Sequence, residues 1–193
     1  MEIVQAFFTP MAAVPELMPP YLLHQLKQAV NEVIGEADGS NHDFNCDVWA
    51  SIKSHNIVED DRFKQFIYLV EQSVNSLAKK VGAKRKMFCV EGWVNSYTST
   101  DYQEEHAHPP AKFSAVYFVE APEGSAPLVL KNPSFPFDPI EMDGTVWSEK
   151  REIEPLENGL VIFPSTIYHR VPKGSNKTRR VTIAMNFSEG EAY

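Results

Sequence analysis

A chain of 193 residues is long enough for one domain with a substantial core and too short for more than two small ones, and residues 1–193 are read as one. Its 43% hydrophobic and 23% charged residues are those of an ordinary soluble globular protein. A formal charge of -8 without an Arg-rich stripe disfavours nucleic acid as a partner, and neither a signal peptide nor an apolar run of membrane-spanning length is present, which predicts a cytoplasmic protein with no membrane partner.

In chain order, Ile3–Phe8 reads as a short strand stopped by Pro10. Leu22, Leu26, Ala29 or Val30 and Val33 recur at helical spacing, which predicts a helix over Pro20–Ala37 with prolines at its start. Residues Gly39–His55 are polar and turn-rich around Val48 and Trp49, an irregular strand or a lid. Asp60 and Asp61 open a second helix whose apolar face runs through Phe63, Phe66, Ile67, Val70, Val74, Leu77 and Val81 to a cap at Gly82. Both helices are expected to pack on the outside of a sheet.

After Gly82 the period becomes that of strands. In Lys86–Tyr97, alternation puts Met87, Cys89, Glu91, Trp93, Asn95 and Tyr97 on one side and Phe88, Val90, Gly92 and Val94 on the other. Further strands are predicted over Phe113–Val119, Leu128–Leu130, Thr145–Trp147, Leu160–Phe163 and Val181–Phe187. Two helices followed by short strands with Pro and Gly turns predict a mainly β sandwich or barrel rather than βαβ units. The loop Asn132–Pro139 is either a substrate-side lid or a cover for its two phenylalanines. Cys46 and Cys89 lack Cys-x-x-Cys spacing and read as two reduced thiols.

The sharpest chemical motif is His106-Ala-His108. In an extended segment, residues two apart point the same way, so both imidazoles can reach one metal ion. His169, at the far end of the apolar run that begins at Gly159, is the candidate third ligand. Asp101, Glu104 and Glu105 stand close upstream, and an acid among them, Glu104 by its shared strand parity with His106, is the alternative to His108 as second ligand. Arg180 opens an apolar strand with Thr182 on its same face, a guanidinium fork and a hydroxyl that together suit a carboxylate. A shifted register would turn Arg179 inward instead. Asn95 and Asn186 are candidates for the pocket wall, as are the aromatics Trp93, Tyr97 and Tyr117, although aromatics at strand spacing also fill cores.

Phe8–Pro10, Gly92–Asn95, His106–Pro109, Ser114–Val119, Phe163–Ser165, His169–Val171 and Arg180–Phe187 occur in an order and spacing that resemble the non-haem iron, 2-oxoglutarate-dependent oxygenases. The likeness is to a group of bacteria and of tailed phages of marine cyanobacteria, within the prolyl-hydroxylase-like superfamily. It implies a double-stranded β-helix, or jelly roll, with two N-terminal supporting helices. It also implies Fe(II) held by His106, His108 and His169, and 2-oxoglutarate held by Arg180 and Thr182, with Asn95, Asn186 and Tyr117 lining the cosubstrate site. His108 stands where the broader family has a carboxylate, so the triad is neutral.

The implied activity is a dioxygenase that consumes dioxygen and 2-oxoglutarate and hydroxylates a protein or small-molecule substrate, in the host cytoplasm if the chain is phage-encoded. Two rivals stand beside it: a cupin-like metalloenzyme, which shares the jelly roll and His-x-His but needs no arginine anchor, and a non-catalytic jelly-roll binding or structural protein. Exposed strand edges permit a homodimer without requiring one.

Overall fold

The structure, a computed structural model, describes residues 11–39, 46–133 and 149–192. The predicted strands Ile3–Phe8 and Thr145–Trp147, the segment Phe8–Pro10 and most of the loop Asn132–Pro139 lie outside the described residues. The chain begins with β1 (Ala12–Val14), α1 (Pro20–Glu36), β2 (Cys46–Asp47) and β3 (Trp49–Ala50). Two 3-10 turns, Ile57–Glu59 and Asp61–Phe63, lead into α2 (Lys64–Lys80). The strands β4 (Arg85–Tyr97), β5 (Tyr102–His106), β6 (Phe113–Glu120), β7 (Leu128–Lys131), β8 (Lys150–Ile153), β9 (Leu160–Pro164), β10 (His169–Val171) and β11 (Arg180–Ala192) complete it.

The helices form where the periodicity placed them. Pro20 takes the first turn of α1, where its missing N–H costs nothing, and Leu22, Leu26, Ala29, Val30 and Val33 are buried as predicted. Asp60 caps the turn before α2 by accepting from Arg62 N, and burial of Phe63, Phe66, Ile67, Val70, Val74 and Leu77 fixes the helix on the sheet. Each such side chain contributes roughly 1.5–3 kcal/mol. Val81, assigned to the same face, is exposed instead, because α2 has already ended. Gly82 closes the helix at φ 87°, a value glycine adopts without strain, and Ala83 N donates back to Ala78 O at 2.9 Å.

The strands form two antiparallel sheets, one in the order β1-β9-β6-β11-β4-β3 and the other in the order β2-β5-β10-β7-β8. Both helices cover the outer face of the six-stranded sheet, over a core that includes Val30, Phe66, Val74, Tyr117, Ile162 and Ile183. A second core, with Tyr97, Phe118, Leu128, Phe163 and Val171, lies between the two sheets. This is a double-stranded β-helix with two supporting helices.

The alternation read through β4 breaks at one residue. Asn186 pairs with Glu91 and Phe187 with Cys89, so Val90 is an extra residue in a β-bulge. Met87 and Cys89 therefore face the helices together with Val94, while Glu91, Trp93, Asn95 and Tyr97 face the second sheet. Phe88 and Val90 are left 42% and 49% exposed, which corrects their assignment to a common face with Gly92 and Val94. Five short strands, β1, β2, β5, β8 and β10, were not separately legible: Lys150–Ile153 and Tyr102–His106, for instance, carry charge at positions where alternation would show an apolar residue. Cys46 and Cys89 are free thiols, and burial pushes Cys89 up to about 12.

At the inner end of the β6–β9 layer, Asn158 binds the N-terminal segment to the sheet. Its side chain accepts from Met18 N at 3.1 Å and from the Tyr117 hydroxyl at 2.8 Å, and donates to Met18 O at 2.7 Å. These bonds satisfy buried polar groups that would otherwise cost about 1–3 kcal/mol each.

Candidate metal and cosubstrate site

The second sheet brings the histidines together. His106 closes β5 and pairs directly across the antiparallel ladder with His169, the first residue of β10, so both side chains emerge on one face. His108 follows two residues later, where its N–H donates to Ser165 O at 2.9 Å. The ring centroids are 4.3 Å apart for His106 and His169, 4.9 Å for His106 and His108, and 5.2 Å for His108 and His169. One nitrogen from each ring lies within 4.8 Å of the others.

The rings are also tautomerically prepared. His106 Nδ1 lies 2.7 Å from Glu104 O and His169 Nδ1 3.0 Å from Ile167 O. A carbonyl oxygen only accepts, so each Nδ1 carries the proton and each Nε2 keeps a free lone pair. Burial first, and repulsion from His106 second, push His169 down to about 3 and His108 down to about 4. Both rings are therefore neutral near pH 7, the state in which imidazole binds metal.

This donor set, three imidazoles that each bring one nitrogen to the same small volume, fits a single divalent ion of the kind imidazole holds, iron among them. The upstream acids do not join them. Asp101 accepts from the Thr98 N–H and hydroxyl, Glu105 pairs with Lys131 at 2.9 Å, and Glu104 is exposed, its carbonyl alone engaged with His106. Trp93 meets His108 edge-on at 5.6 Å, and Phe163 meets His169 at 5.0 Å, which holds the rings against an apolar wall.

Arg180 opens into the same pocket and is only 1% exposed. Its guanidinium lies 4.6 Å from the Tyr97 ring centroid and 5.5 Å from that of Phe118. Its Nε and both terminal nitrogens have no hydrogen-bond partner. Burial lowers its pKa, the sign of a cation held without enough compensating charge, and a carboxylate would supply both the charge and the acceptors. Arg179 points the other way, to Glu120 at 3.1 Å and to Asn31. The register alternative is thus decided in favour of Arg180.

Thr182 and Asn95 line the pocket, and Asn95 Oδ1 accepts from Trp93 Nε1 at 3.1 Å. Two assignments are corrected. Tyr117 faces the helices, with its ring 5.0 Å from Phe66 and its hydroxyl on Asn158, because β6 turns its odd-numbered residues to the outer core. Asn186 lies on the inner face but beyond the pocket lining, bonded to Ser114 and Glu91. Two participants were missed. Phe118 shares the inner face with Val116, a pairing that was readable from strand alternation, unlike which of the two faces is inner. Gln103, which accepts from the Tyr97 hydroxyl at 2.8 Å, was not, because β5 shifts register between its pairings to His169 and Val171.

A double-stranded β-helix that carries a histidine triad and a buried, unpaired arginine in one pocket defines a non-haem metal oxygenase of the 2-oxoglutarate type. Residues 91–186, which contain all of these groups, match the family model described as "Putative 2OG-Fe(II) oxygenase". Over that stretch the chain carries the sequence pattern of the 2OG-Fe(II) oxygenase family.

Among solved structures, it is similar to a Pseudomonas putida prolyl-4-hydroxylase, at 14% identity and TM-score 0.67 over 94% of this chain and 93% of that one. It is also similar to a non-haem alpha-ketoglutarate-dependent epimerase of nogalamycin biosynthesis, at 9% identity and TM-score 0.68 over 93% and 76%. A viral collagen prolyl hydroxylase of Paramecium bursaria Chlorella virus-1 matches at 10% identity and TM-score 0.61 over 92% and 94%. At these identities the likeness is one of fold. No curated protein matches the sequence. Among the described residues, no helix is long and apolar enough to cross a membrane.

Proposed function

We propose that residues 1–193 act as one catalytic unit that oxidises a C–H bond of a protein or small-molecule substrate, with Fe(II) on His106, His108 and His169 and 2-oxoglutarate anchored by Arg180. The observation that carries this reading is the buried Arg180 guanidinium, which has no partner for any of its nitrogens and shares a pocket with the triad. A cupin-like metalloenzyme would use the histidines but leave that charge without a role. A non-catalytic jelly roll would bear the cost of burying it for nothing.

When bound, Fe(II) supplies the activation of dioxygen that is coupled to oxidative decarboxylation of 2-oxoglutarate. The chain's own part is binding and exclusion. Arg180 takes the far carboxylate through its fork, and Thr182, two residues on, offers a hydroxyl to the same group. Tyr97 and Phe118 flank the guanidinium and keep water off it, which strengthens the ion pair. Gln103 fixes the Tyr97 hydroxyl, and Asn95 offers an amide along the wall. His108 and His169 stay neutral and deliver lone pairs without releasing protons near neutral pH. Two free thiols fit a reducing, cytoplasmic setting.

Aerobic incubation with Fe(II), ascorbate and 2-oxoglutarate is expected to release succinate slowly even without a substrate, and a chelator should stop it. Succinate release that is the same with and without metal would count against the reading.

A further inference from the structure

Along β11 the side chains of Arg180, Thr182, Ala184 and Asn186 point toward the second sheet, and register sets Ala184 against Trp93, whose ring meets His108. At ~3.4 Å per residue, Arg180 is roughly 13 Å from this rung on one side and Asn186 roughly 7 Å on the other. A cosubstrate held by Arg180 fills the first stretch. The second stretch is left for a substrate.

That stretch is polar by construction. Ser165 and Ser114 hydroxyls lie 2.9 Å apart, Ser114 Oγ donates to Asn186 Oδ1 at 2.8 Å, and Asn186 Nδ2 donates to Glu91 Oε2 at 2.9 Å. Ser165, Ser114 and Asn186 are 0%, 3% and 4% exposed, yet Glu91 at the end of the chain is open to solvent. Burying three polar side chains is costly, and their bonds supply no strand pairing; their effect is to fix the amide that holds one carboxylate oxygen. Glu91 forms no ion pair among the described residues. The rim has the opposite sign at the other end, where Arg170 and Lys173 follow His169 and Lys173 lies 5.4 Å over the Tyr102 ring.

We propose, on the oxygenase reading above, that Glu91 is the substrate-selecting residue of this site: oriented by Asn186, it takes the ammonium or guanidinium group of a substrate that presents its C–H bond to the histidine triad. The separation between the two rungs is comparable to a lysine or arginine side chain. The net charge of -8 favours the approach of such a cation.

The test is anaerobic calorimetry on protein loaded with Fe(II) and 2-oxoglutarate, using free lysine and arginine, capped Gly-Lys-Gly and Gly-Arg-Gly tripeptides, and, as controls whose side chain carries no charge, norleucine and a capped Gly-norleucine-Gly tripeptide. At least one basic probe is expected to bind, norleucine is not, and the tighter class tells a free amino acid from a peptide-borne residue. Glu91→Gln should weaken that binding about ten-fold or more, because it removes a charge-assisted bond. It should leave the affinities for metal and 2-oxoglutarate unchanged. Glu91→Lys should lose the basic probe altogether. The proposal is overturned if no basic probe binds to protein that has bound both metal and 2-oxoglutarate, if norleucine binds as well, or if the variants bind the basic probe normally. Failure to bind 2-oxoglutarate would instead overturn the oxygenase reading beneath it.

Discussion

Arg180→Met is expected to abolish 2-oxoglutarate binding and, at the same time, to make the unloaded protein more stable. The guanidinium is buried between Tyr97 and Phe118 with all of its nitrogens unpartnered, so in the free protein the two aromatic faces offset only part of its desolvation. Replacing such a charge by an apolar side chain that fills the same slot is neutral or stabilising by roughly 1–4 kcal/mol. Loss of the fork and its charge should weaken 2-oxoglutarate by about 2–5 kcal/mol, while the histidine triad keeps its metal affinity. Thermal unfolding of the metal-free variant, set beside calorimetry of the metal-loaded one, separates the two effects. A variant that is both less stable and unable to hold metal would mean that Arg180 serves folding.

His108→Ala and His108→Asp should diverge sharply. Alanine leaves two imidazoles and an opening, and metal affinity measured by chelator competition should fall by more than about 100-fold. Aspartate restores a ligand at the same place and gives the triad the negative charge that the broader family carries there, so metal should be retained. The apolar setting that pushes His108 down to about 4 would also resist an ionised aspartate in the metal-free protein, so the Asp variant should gain more stability from metal than the parent does. Equal metal affinity in His108→Ala and the parent would remove His108 from the site.

Much of this site was legible because strand geometry is simple. His106 and His108 sit two apart, and Arg180 and Thr182 share one face of a strand, so alternation alone predicts which groups travel together. The helices were equally plain, since their apolar faces repeat over several turns. What failed did so at breaks in the period. The extra residue Val90 flips the face of everything before it in β4, and a similar shift in β5 hides Gln103. Tyr117 was assigned to the pocket because an aromatic in an apolar strand carries no mark of which face is inner; only its bond to Asn158, far along the chain, shows that it belongs to the helix side. The Ser114, Ser165, Asn186 and Glu91 relay joins three strands and the turn after β9 and so has no local signature.

The most direct measurement is an anaerobic optical titration of the Fe(II)-loaded protein with 2-oxoglutarate. Chelation of the triad-bound ion by 2-oxoglutarate should raise a weak visible charge-transfer band that saturates at one equivalent, and the band should be missing in Arg180→Met at the same concentrations. Absence of the band in the parent protein, together with no calorimetric binding of 2-oxoglutarate, would contradict the account.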